Sequence, residues 1–162
     1  MSEVPDVPPA VVLRNVEDQD VEVFFEHEAD PQAVEMAAFP ARDRDQVAAH
    51  WAKVRGDDTL VVRTIVADGA VAGYICSWPQ DGQQLLGYWI GREFWGRSVA
   101  TQALGLLTEE VSVRPLYAHV VAHNAGSIRV LEKCGFRRDR AEDAKPPAPD
   151  DGIEELTYAL KA

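Results

Sequence analysis

A short turn of small residues divides the segment GYWIGREFWGRSVATQAL at Gly87–Leu104. An apolar, strand-like stretch at Leu85–Ile90 precedes the turn, and a helix-patterned stretch follows it directly. The turn holds Gly91, Gly96 and Ser98, whose small side chains let backbone N–H groups converge on one point. The positive end of the helix dipole lies at the same point. The spacing therefore predicts a cradle for an anion at the start of this helix.

A second segment, NAGSIRVLEKCGF at Asn124–Phe136, predicts a short helix that could close over the same ligand. Basic residues lie within or beside the two segments: Arg92, Arg97, Arg129 and Lys133. In a chain with a formal net charge of −11, these residues make the predicted site locally positive. An anion cradle beside several cations indicates a cofactor that carries a pyrophosphate.

The elements that must position these segments begin with one strand and several helices. We expect a strand at Val11–Asn15 and helices at Asp20–His27, Pro31–Ala38 and Asp43–Arg55. Asp18 is expected to cap the first helix because its side chain can accept a hydrogen bond from a free N–H group. Residues 1–10 hold three prolines and little apolar pattern, which predicts a flexible tail.

The hydrophobic period then changes to that of strands. The runs Leu60–Ala67 and Val71–Trp78 flank Asp68-Gly69, a strong hairpin signal, and a second turn is expected at Pro79–Gly82. After the strand that ends at Ile90, we expect a helix at Arg97–Val111, a strand at Leu116–Val121, a helix at Ser127–Cys134, and strands at Phe136–Arg138 and Ile153–Leu160. The acidic, proline-rich segment between the last two strands is expected to be mobile. The pattern predicts an α+β domain, and a Rossmann fold is disfavoured because no G-x-G-x-x-G follows the first strand.

The composition is that of one globular domain. Of the 162 residues, 46% are hydrophobic and 27% are charged. Without a long apolar run or a signal-peptide pattern, we expect a cytoplasmic protein with no membrane partner. Cys76 and Cys134 lack metal-ligand spacing, so we expect reduced core thiols and no metal. The acidic charge disfavours nucleic acid as a partner, and it suits either a cationic substrate or an ordinary charged surface.

Two motifs at the proper separation resemble those of the GNAT family of acyl-CoA-dependent N-acetyltransferases. The family turn, Q/R-x-x-G-x-G/A, corresponds to Trp95–Ala100, where Trp95 replaces Gln or Arg and Ser98 replaces the central glycine. The branch that includes the ribosomal-protein alanine acetyltransferases often has tryptophan at this position, and the chain resembles that branch here. The second motif, N-x-x-S-x-x-x-L-x-K-x-G-F, matches Asn124–Phe136. If Ser98 needs a positive φ, its cost is about 1 kcal/mol, and binding of coenzyme A (CoA) is expected to be weakened at most, because serine keeps its N–H donor.

The resemblance implies a mixed, mostly antiparallel sheet of about seven strands flanked by helices, with a splayed gap between strands four and five. It implies acetyl-CoA as the cofactor, with its pantetheine arm bonded to the backbone of Tyr88–Ile90 like an added strand. The pyrophosphate is expected on N–H groups from Gly96 to Ala100, with Asn124 on the arm and Arg129 reaching a phosphate. The expected cofactor-binding residues are Tyr88, Trp89, Ile90, Trp95, Gly96, Arg97, Ser98, Val99, Ala100, Thr101, Asn124, Ser127 and Arg129.

Acetyl transfer to an amine needs a neutral nitrogen, a polarised thioester and a proton for the departing thiolate. Many family members supply that proton from a tyrosine on the last short helix, where this chain has Leu131. Ser127, one turn earlier, is the expected general acid, and it would also suit a helix cap. His123 is the preferred base. A water chain stays open as the base, as do these residues: His27, Asp30, Glu35, His50, Tyr88 and His119.

Phe39, Trp51 and Glu35 are expected to line the acceptor pocket, although aromatic residues on patterned helices also suit a core. The expected function is direct transfer of an acetyl group from acetyl-CoA to a primary amine, of a small molecule or a peptide N-terminus, in a ternary complex. Two alternatives stay open: a non-catalytic module that binds or senses acyl-CoA, and a scaffold dimer that pairs through its edge strands. We expect one domain at residues 11–162, as a monomer or a homodimer.

Overall fold

The computed structural model describes residues 8–37, 42–140 and 155–161 of the chain. The helices are α1 (Asp18–Glu28), α2 (Pro31–Ala37), α3 (Arg44–Arg55), α4 (Val99–Glu110) and α5 (Ala125–Lys133). The strands are β1 (Val11–Arg14), β2 (Val61–Ala67), β3 (Ala70–Gln80), β4 (Gln83–Ile90), β5 (Leu116–Val121), β6 (Arg137–Arg138) and β7 (Glu155–Leu160). Phe39, most of the predicted tail and the predicted mobile segment lie outside the described residues.

The strands form one seven-stranded sheet in the order β1-β2-β3-β4-β5-β7-β6. The neighbouring strands are antiparallel except for β4 and β5, which run parallel. The predicted α+β class and the mixed, mostly antiparallel sheet flanked by helices are thus confirmed. Within the described ranges, no helix has the length and apolar character needed to cross a bilayer.

Two hairpin turns connect the first half of the sheet. Asp68-Gly69 has φ values of 48° and 83°, and Asp81-Gly82 has 52° and 78°, as a tight turn with two left-handed residues requires. The second turn is therefore shorter than the predicted Pro79–Gly82, because Pro79 belongs to β3. The β2–β3 ladder ends at Ser77, so Pro79 needs no N–H donor on that side.

Two helices, α1 and α5, begin earlier than predicted because other residues cap them. Glu17, not Asp18, precedes α1, and its side chain and that of Asp20 form a reciprocal capping box. Asn124 caps α5: its side-chain oxygen accepts a hydrogen bond from the Ser127 N–H at 3.2 Å. The helix therefore begins at Ala125, and the expectation that Ser127 could be its cap is wrong.

The sheet buries a core on each face. On one face, which we call the α4 face, side chains of α4 and α5 pack against strand residues such as Ile75, Leu86 and Leu116. On the other, the α1 face, Phe24, Val47 and Trp51 of α1 and α3 pack against Tyr74. The predicted stripe along α4 is buried, since its members Val99, Ala103, Leu107 and Val111 are at most 6% exposed.

The sheet divides between β4 and β5. These strands pair at Gln84–Leu116, Leu85–Tyr117 and Leu86–Ala118, and the pairing stops there. From this point residues 87–90 of β4 have no strand partner on the β5 side. We call the space between Gly87–Ile90 and His119–Val121 the opening. It corresponds to the splayed gap that the sequence predicts between strands four and five.

Candidate functional site

A cavity of about 390 Å³ lies along the opening. Its walls come from β4, the turn before α4, the first turn of α4, one side of α5 and two residues of α2. The predicted cofactor residues on these walls are Tyr88, Trp89, Ile90, Trp95, Gly96, Ser98, Val99, Ala100, Thr101, Asn124, Ser127 and Arg129. The structure therefore brings into one site all of that set except Arg97.

The backbone of β4 presents a free edge to the cavity. The Gly91 N–H donates to Ala72 O on β3 at 2.8 Å, and bonding directions alternate along a strand. The backbone groups of Tyr88 and Ile90 therefore point into the opening. The Trp95 indole N–H already donates to Ile90 O at 2.9 Å. The main backbone groups left for a ligand are therefore the N–H and C=O of Tyr88 and the N–H of Ile90. This edge suits an extended chain of amides.

The turn before α4 has the backbone geometry that the predicted anion cradle requires. Gly96 and Ser98 have φ values of 74° and 67°. The first intrahelical bond runs from Gln102 N–H to Ser98 O, so the N–H groups of the preceding residues have no partner inside the helix. They lie at the positive end of the helix dipole. Ser98 therefore has the left-handed conformation that the sequence raised only as a condition, and a side chain in this conformation costs about 1–2 kcal/mol.

Cationic side chains stand at the α5 end of the cavity. Arg129 and Lys133 both line it. Arg97 lies instead over the Phe94 ring, with its guanidinium carbon 6.0 Å from the ring centroid. Arg92 donates to Asp30 Oδ2 at 2.7 Å, which ties the turn to the start of α2. The donor set of cradle N–H groups, Arg129 and Lys133 fits a pyrophosphate-bearing group with further phosphate charge.

A hydroxyl pair lies in the cavity wall beside the free edge. Tyr88 Oη and Ser127 Oγ are 2.6 Å apart. Burial raises the pKa of Tyr88 to about 12, although the bond to Ser127 opposes the rise. Tyr88 is therefore a neutral phenol at physiological pH and can donate a proton through Ser127. Leu131, which stands where the family has its acid, is 1% exposed and belongs to the core.

His123, the base that the sequence favours, contacts α2. His123 Nε2 lies 3.1 Å from Glu35 O, and because a carbonyl only accepts, this nitrogen must donate. His123 thus links the β5–α5 turn to α2, and it does not line the cavity. Glu35 contributes its carbonyl to this link, and its side chain is exposed and away from the cavity wall.

Trp51 does not reach the cavity. It is 1% exposed, and its ring centroid lies 4.8 Å from those of both Phe24 and Tyr74. The alternative that it is a core residue is therefore correct, and its assignment to the acceptor pocket is not supported. The neighbouring His50 packs on Trp51 from α3.

Sequence reasoning expected Glu35 of α2 in the acceptor pocket and missed two other residues of this helix, Ala33 and Met36. Ala33 and Met36 close the cavity at the opening, and Met36 is 37% exposed. The α2 segment is joined to the turn after β4 through Asp30–Arg92 and to the turn after β5 through Glu35–His123, so it crosses the opening. No motif marks these contacts, because the partners are 62 and 88 residues apart in sequence.

His27 packs against Gly91 in the turn before α4. A side chain at Gly91 would come within 2.5 Å of His27 Nε2, so only glycine leaves room for this ring. Burial lowers the pKa of His27, which keeps the imidazole neutral. Trp89 Nε1 donates to His27 O at 3.2 Å. Across the described ranges, no cluster of three or more histidine, cysteine or acidic residues could bind a metal ion.

Comparison with known proteins agrees with this geometry. The model of the acetyltransferase (GNAT) domain family matches residues 10–137. A GNAT acetyltransferase structure from Bacillus anthracis is 19% identical, with a TM-score of 0.79 over 95% of this chain and 96% of that one.

Two further structures share the fold. Vibrio cholerae spermidine N-acetyltransferase, solved with CoA and spermine, is 13% identical, with a TM-score of 0.78 over 93% of this chain and 95% of that one. Mycobacterium smegmatis RimJ, solved with CoA-disulfide, is 22% identical, with a TM-score of 0.77 over 96% and 85%. Since the family model spans most of the chain, this protein belongs to the GNAT family and is an acetyl-CoA-dependent acetyltransferase.

Proposed function

We propose that the enzyme acetylates a primary amine, of a small molecule or a peptide N-terminus, by direct transfer in a ternary complex. The observation that carries this proposal is the single cavity that joins the cradle, the free edge of β4 and the Tyr88–Ser127 pair to α2 on the far side of the opening. A donor bound on the α4 face can therefore meet an acceptor from the α1 face without a covalent acyl-enzyme.

Different residues of the chain bind acetyl-CoA and transfer the protons. The free edge at Tyr88 and Ile90 would hold the pantetheine arm, the cradle would hold the pyrophosphate, and acetyl-CoA supplies the thioester when it is bound. Ser127, hydrogen-bonded to Tyr88, would protonate the departing sulphur, and Tyr88 would replace that proton. Proton donation of this kind contributes about 10²–10⁴-fold to a rate.

The acceptor class is proposed from charge and from likeness to other proteins. The net charge of −11 favours a cationic amine. The match to RimJ and the tryptophan at position 95 support a branch that acetylates peptide N-termini. The match to the enzyme solved with spermine makes polyamines the second class to test.

Thiol release from acetyl-CoA, measured with a panel of amines, tests the proposal. The panel contains spermidine, an alanyl tripeptide, an aminoglycoside and hydroxylamine. Ser127→Ala is expected to lower kcat by about 10²-fold. Thr108→Val, a hydroxyl removed from the far end of α4, is the matched control.

Calorimetric titration with CoA separates binding from chemistry. We expect Ser127→Ala to bind CoA as the wild type does. A wild type that binds CoA and turns over no amine would support the alternative of a non-catalytic module, for which the buried Leu131 is the argument. Failure to bind CoA at millimolar concentration would refute the cavity assignment itself.

A further inference from the structure

The last paired residues of β4 and β5 limit how far a ligand can extend along the opening. Leu86 and Ala118 form the final pair of the parallel ladder. An extended chain that lies along Tyr88–Ile90 cannot pass this pair, because the two strands are in contact there. Gly87 and His119, the next residues of the two strands, therefore stand at the closed end of the opening.

His119 stands on the face of the sheet opposite to Ser127. Its neighbours Ala118 and Val120 pack in the α4-face core, and successive side chains alternate between faces. His119 consequently projects from the α1 face. On β4, Gly87 has no side chain at this level, and the Trp78 ring lies where one would stand, 3.2 Å from a Cβ placed on Gly87.

Two residues of β7 hold the His119 ring by its Nδ1 atom. Thr157 Oγ1 lies 3.1 Å from this nitrogen, and Glu155 Oε1 lies 4.0 Å from it. Thr157 is 1% exposed, whereas the His119 side chain is 36% exposed. A carboxylate beside Nδ1 favours the tautomer that carries its proton there. The lone pair of the neutral ring is then on Nε2.

We propose that His119, positioned by Thr157 and Glu155, accepts the proton of the attacking amine. The inference rests on the proposed transfer to an amine. An alkylammonium is not nucleophilic, so Nε2 first takes one proton and the freed lone pair forms the C–N bond. As the C–S bond breaks, sulphur takes a proton from the Tyr88–Ser127 pair, and the second proton of the nitrogen passes through water to restore that pair. The overall products are amide, thiol and one proton, which leaves His119 for water.

The arrangement separates the two proton transfers by the sheet. Tyr88 and Ser127 line the cavity and act from the α4 face, where the cradle is. His119 is not among the residues that line the cavity, and it acts from the α1 face at the closed end of the opening. The charged group that faces His119 from β7 is Glu155. On the same face β4 offers Gly87 and Trp89, neither of which titrates. A base on the acceptor side fits an amine that approaches through the face opposite to acetyl-CoA.

The first test compares His119→Gln with the wild type on two kinds of nucleophile. With spermidine or the alanyl tripeptide, whichever the wild type acetylates faster, kcat/KM at pH 7 is expected to fall by about 10²-fold or more. The loss should shrink as the pH rises and the amine loses its proton unaided. With hydroxylamine, which is already uncharged at pH 7, the loss should be less than tenfold. His50→Gln, on α3 and packed against Trp51, is the control.

The second test does not depend on turnover. Nitrogen NMR of the imidazoles should show His119 protonated at Nδ1 in the wild type, and a shift toward the Nε2 tautomer in Thr157→Val and Glu155→Gln. These two variants should also lose activity with the alkylamine while retaining their affinity for CoA. Unchanged tautomers in both variants would overturn the positioning role.

The activity outcomes separate this inference from the proposed function. An active wild type whose rate with the alkylamine is unchanged by His119→Gln refutes His119 and leaves the proposed function intact. A wild type that turns over neither the alkylamines nor hydroxylamine overturns both. Thermal denaturation and CoA titration of His119→Gln establish that the variant is folded.

Discussion

Asp20 offers a prediction whose size follows from its surroundings. Its carboxylate is fully buried and accepts hydrogen bonds from Arg14 at 2.6 and 2.9 Å, from Glu17 N–H at 2.8 Å and from the Thr64 hydroxyl at 2.7 Å. These bonds join α1 to β1 and β2. Helix α1 also carries His27, which packs against Gly91 in the turn before α4. Asp20→Asn keeps the shape, removes the charge and leaves Arg14 only its bond to Asn15 O and its ion pair with Glu17 at 3.9 Å.

The free energy of unfolding should fall by a large amount for so small a change of side chain. Breaking a buried ion pair costs about 3–5 kcal/mol. Because the Arg14 side chain is 33% exposed and can be hydrated, we expect the lower end, about 3 kcal/mol. Asp18→Asn is the matched control: it lies on the same helix and bonds Arg55 at 2.6 Å, but it is 95% exposed and should cost about 0–1 kcal/mol.

Urea denaturation at pH 7 measures both variants. Burial acts to raise the pKa of Asp20, but the bonds from Arg14, Glu17 and Thr64 outweigh it and lower the pKa. The stability from this group is therefore present above its ordinary pKa of about 3.9 and is lost as the pH falls through the lower, folded value. The difference between wild type and Asp20→Asn should narrow over that range. Equal losses for the two variants at pH 7 would refute the reasoning.

Three further predictions concern the site. Ser98→Gly should relieve about 1–2 kcal/mol of left-handed strain against about 0.5–1 kcal/mol of added chain entropy, so that thermal denaturation shows a gain of no more than about 1 kcal/mol; a clear destabilisation would contradict this. Tyr88→Phe should lower kcat by about 10²-fold and leave CoA affinity unchanged in calorimetry, whereas a loss of affinity alone would contradict its proton role. Gly91→Ala should displace His27, cost about 1–3 kcal/mol in urea denaturation and weaken CoA binding, with Gly105→Ala on α4 as the tolerated control.

The sequence predicts most of the fold because local patterns decide it. Asp68-Gly69 dictates its hairpin through two positive φ values, and the stripe from Val99 to Val111 dictates which side of α4 is buried. The second hairpin is less certain from sequence. Proline is ordinarily a sign of a turn, and only the end of the β2 ladder makes Pro79 acceptable in a strand.

The chemistry of the site is less predictable, because it depends on contacts between distant segments. The cradle and the free edge come from one continuous stretch, so motif spacing finds them. The bond from Tyr88 to Ser127 joins residues 39 positions apart, and nothing in the local pattern marks it. Trp51 shows the opposite problem, since an aromatic residue on an amphipathic helix looks the same whether it lines a pocket or fills a core.

The short ladder between β4 and β5 has a consequence for the mechanics of the domain. The halves β1–β4 and β5–β7 share only three residue pairs of backbone across the middle of the described sheet. A strand-like ligand in the opening would act as the missing member of the sheet and fasten one half to the other. At a ligand concentration 100 times the Kd, mass action alone adds about 2.7 kcal/mol to folding. The cellular concentration of CoA would then affect the stability of the folded enzyme as well as its rate.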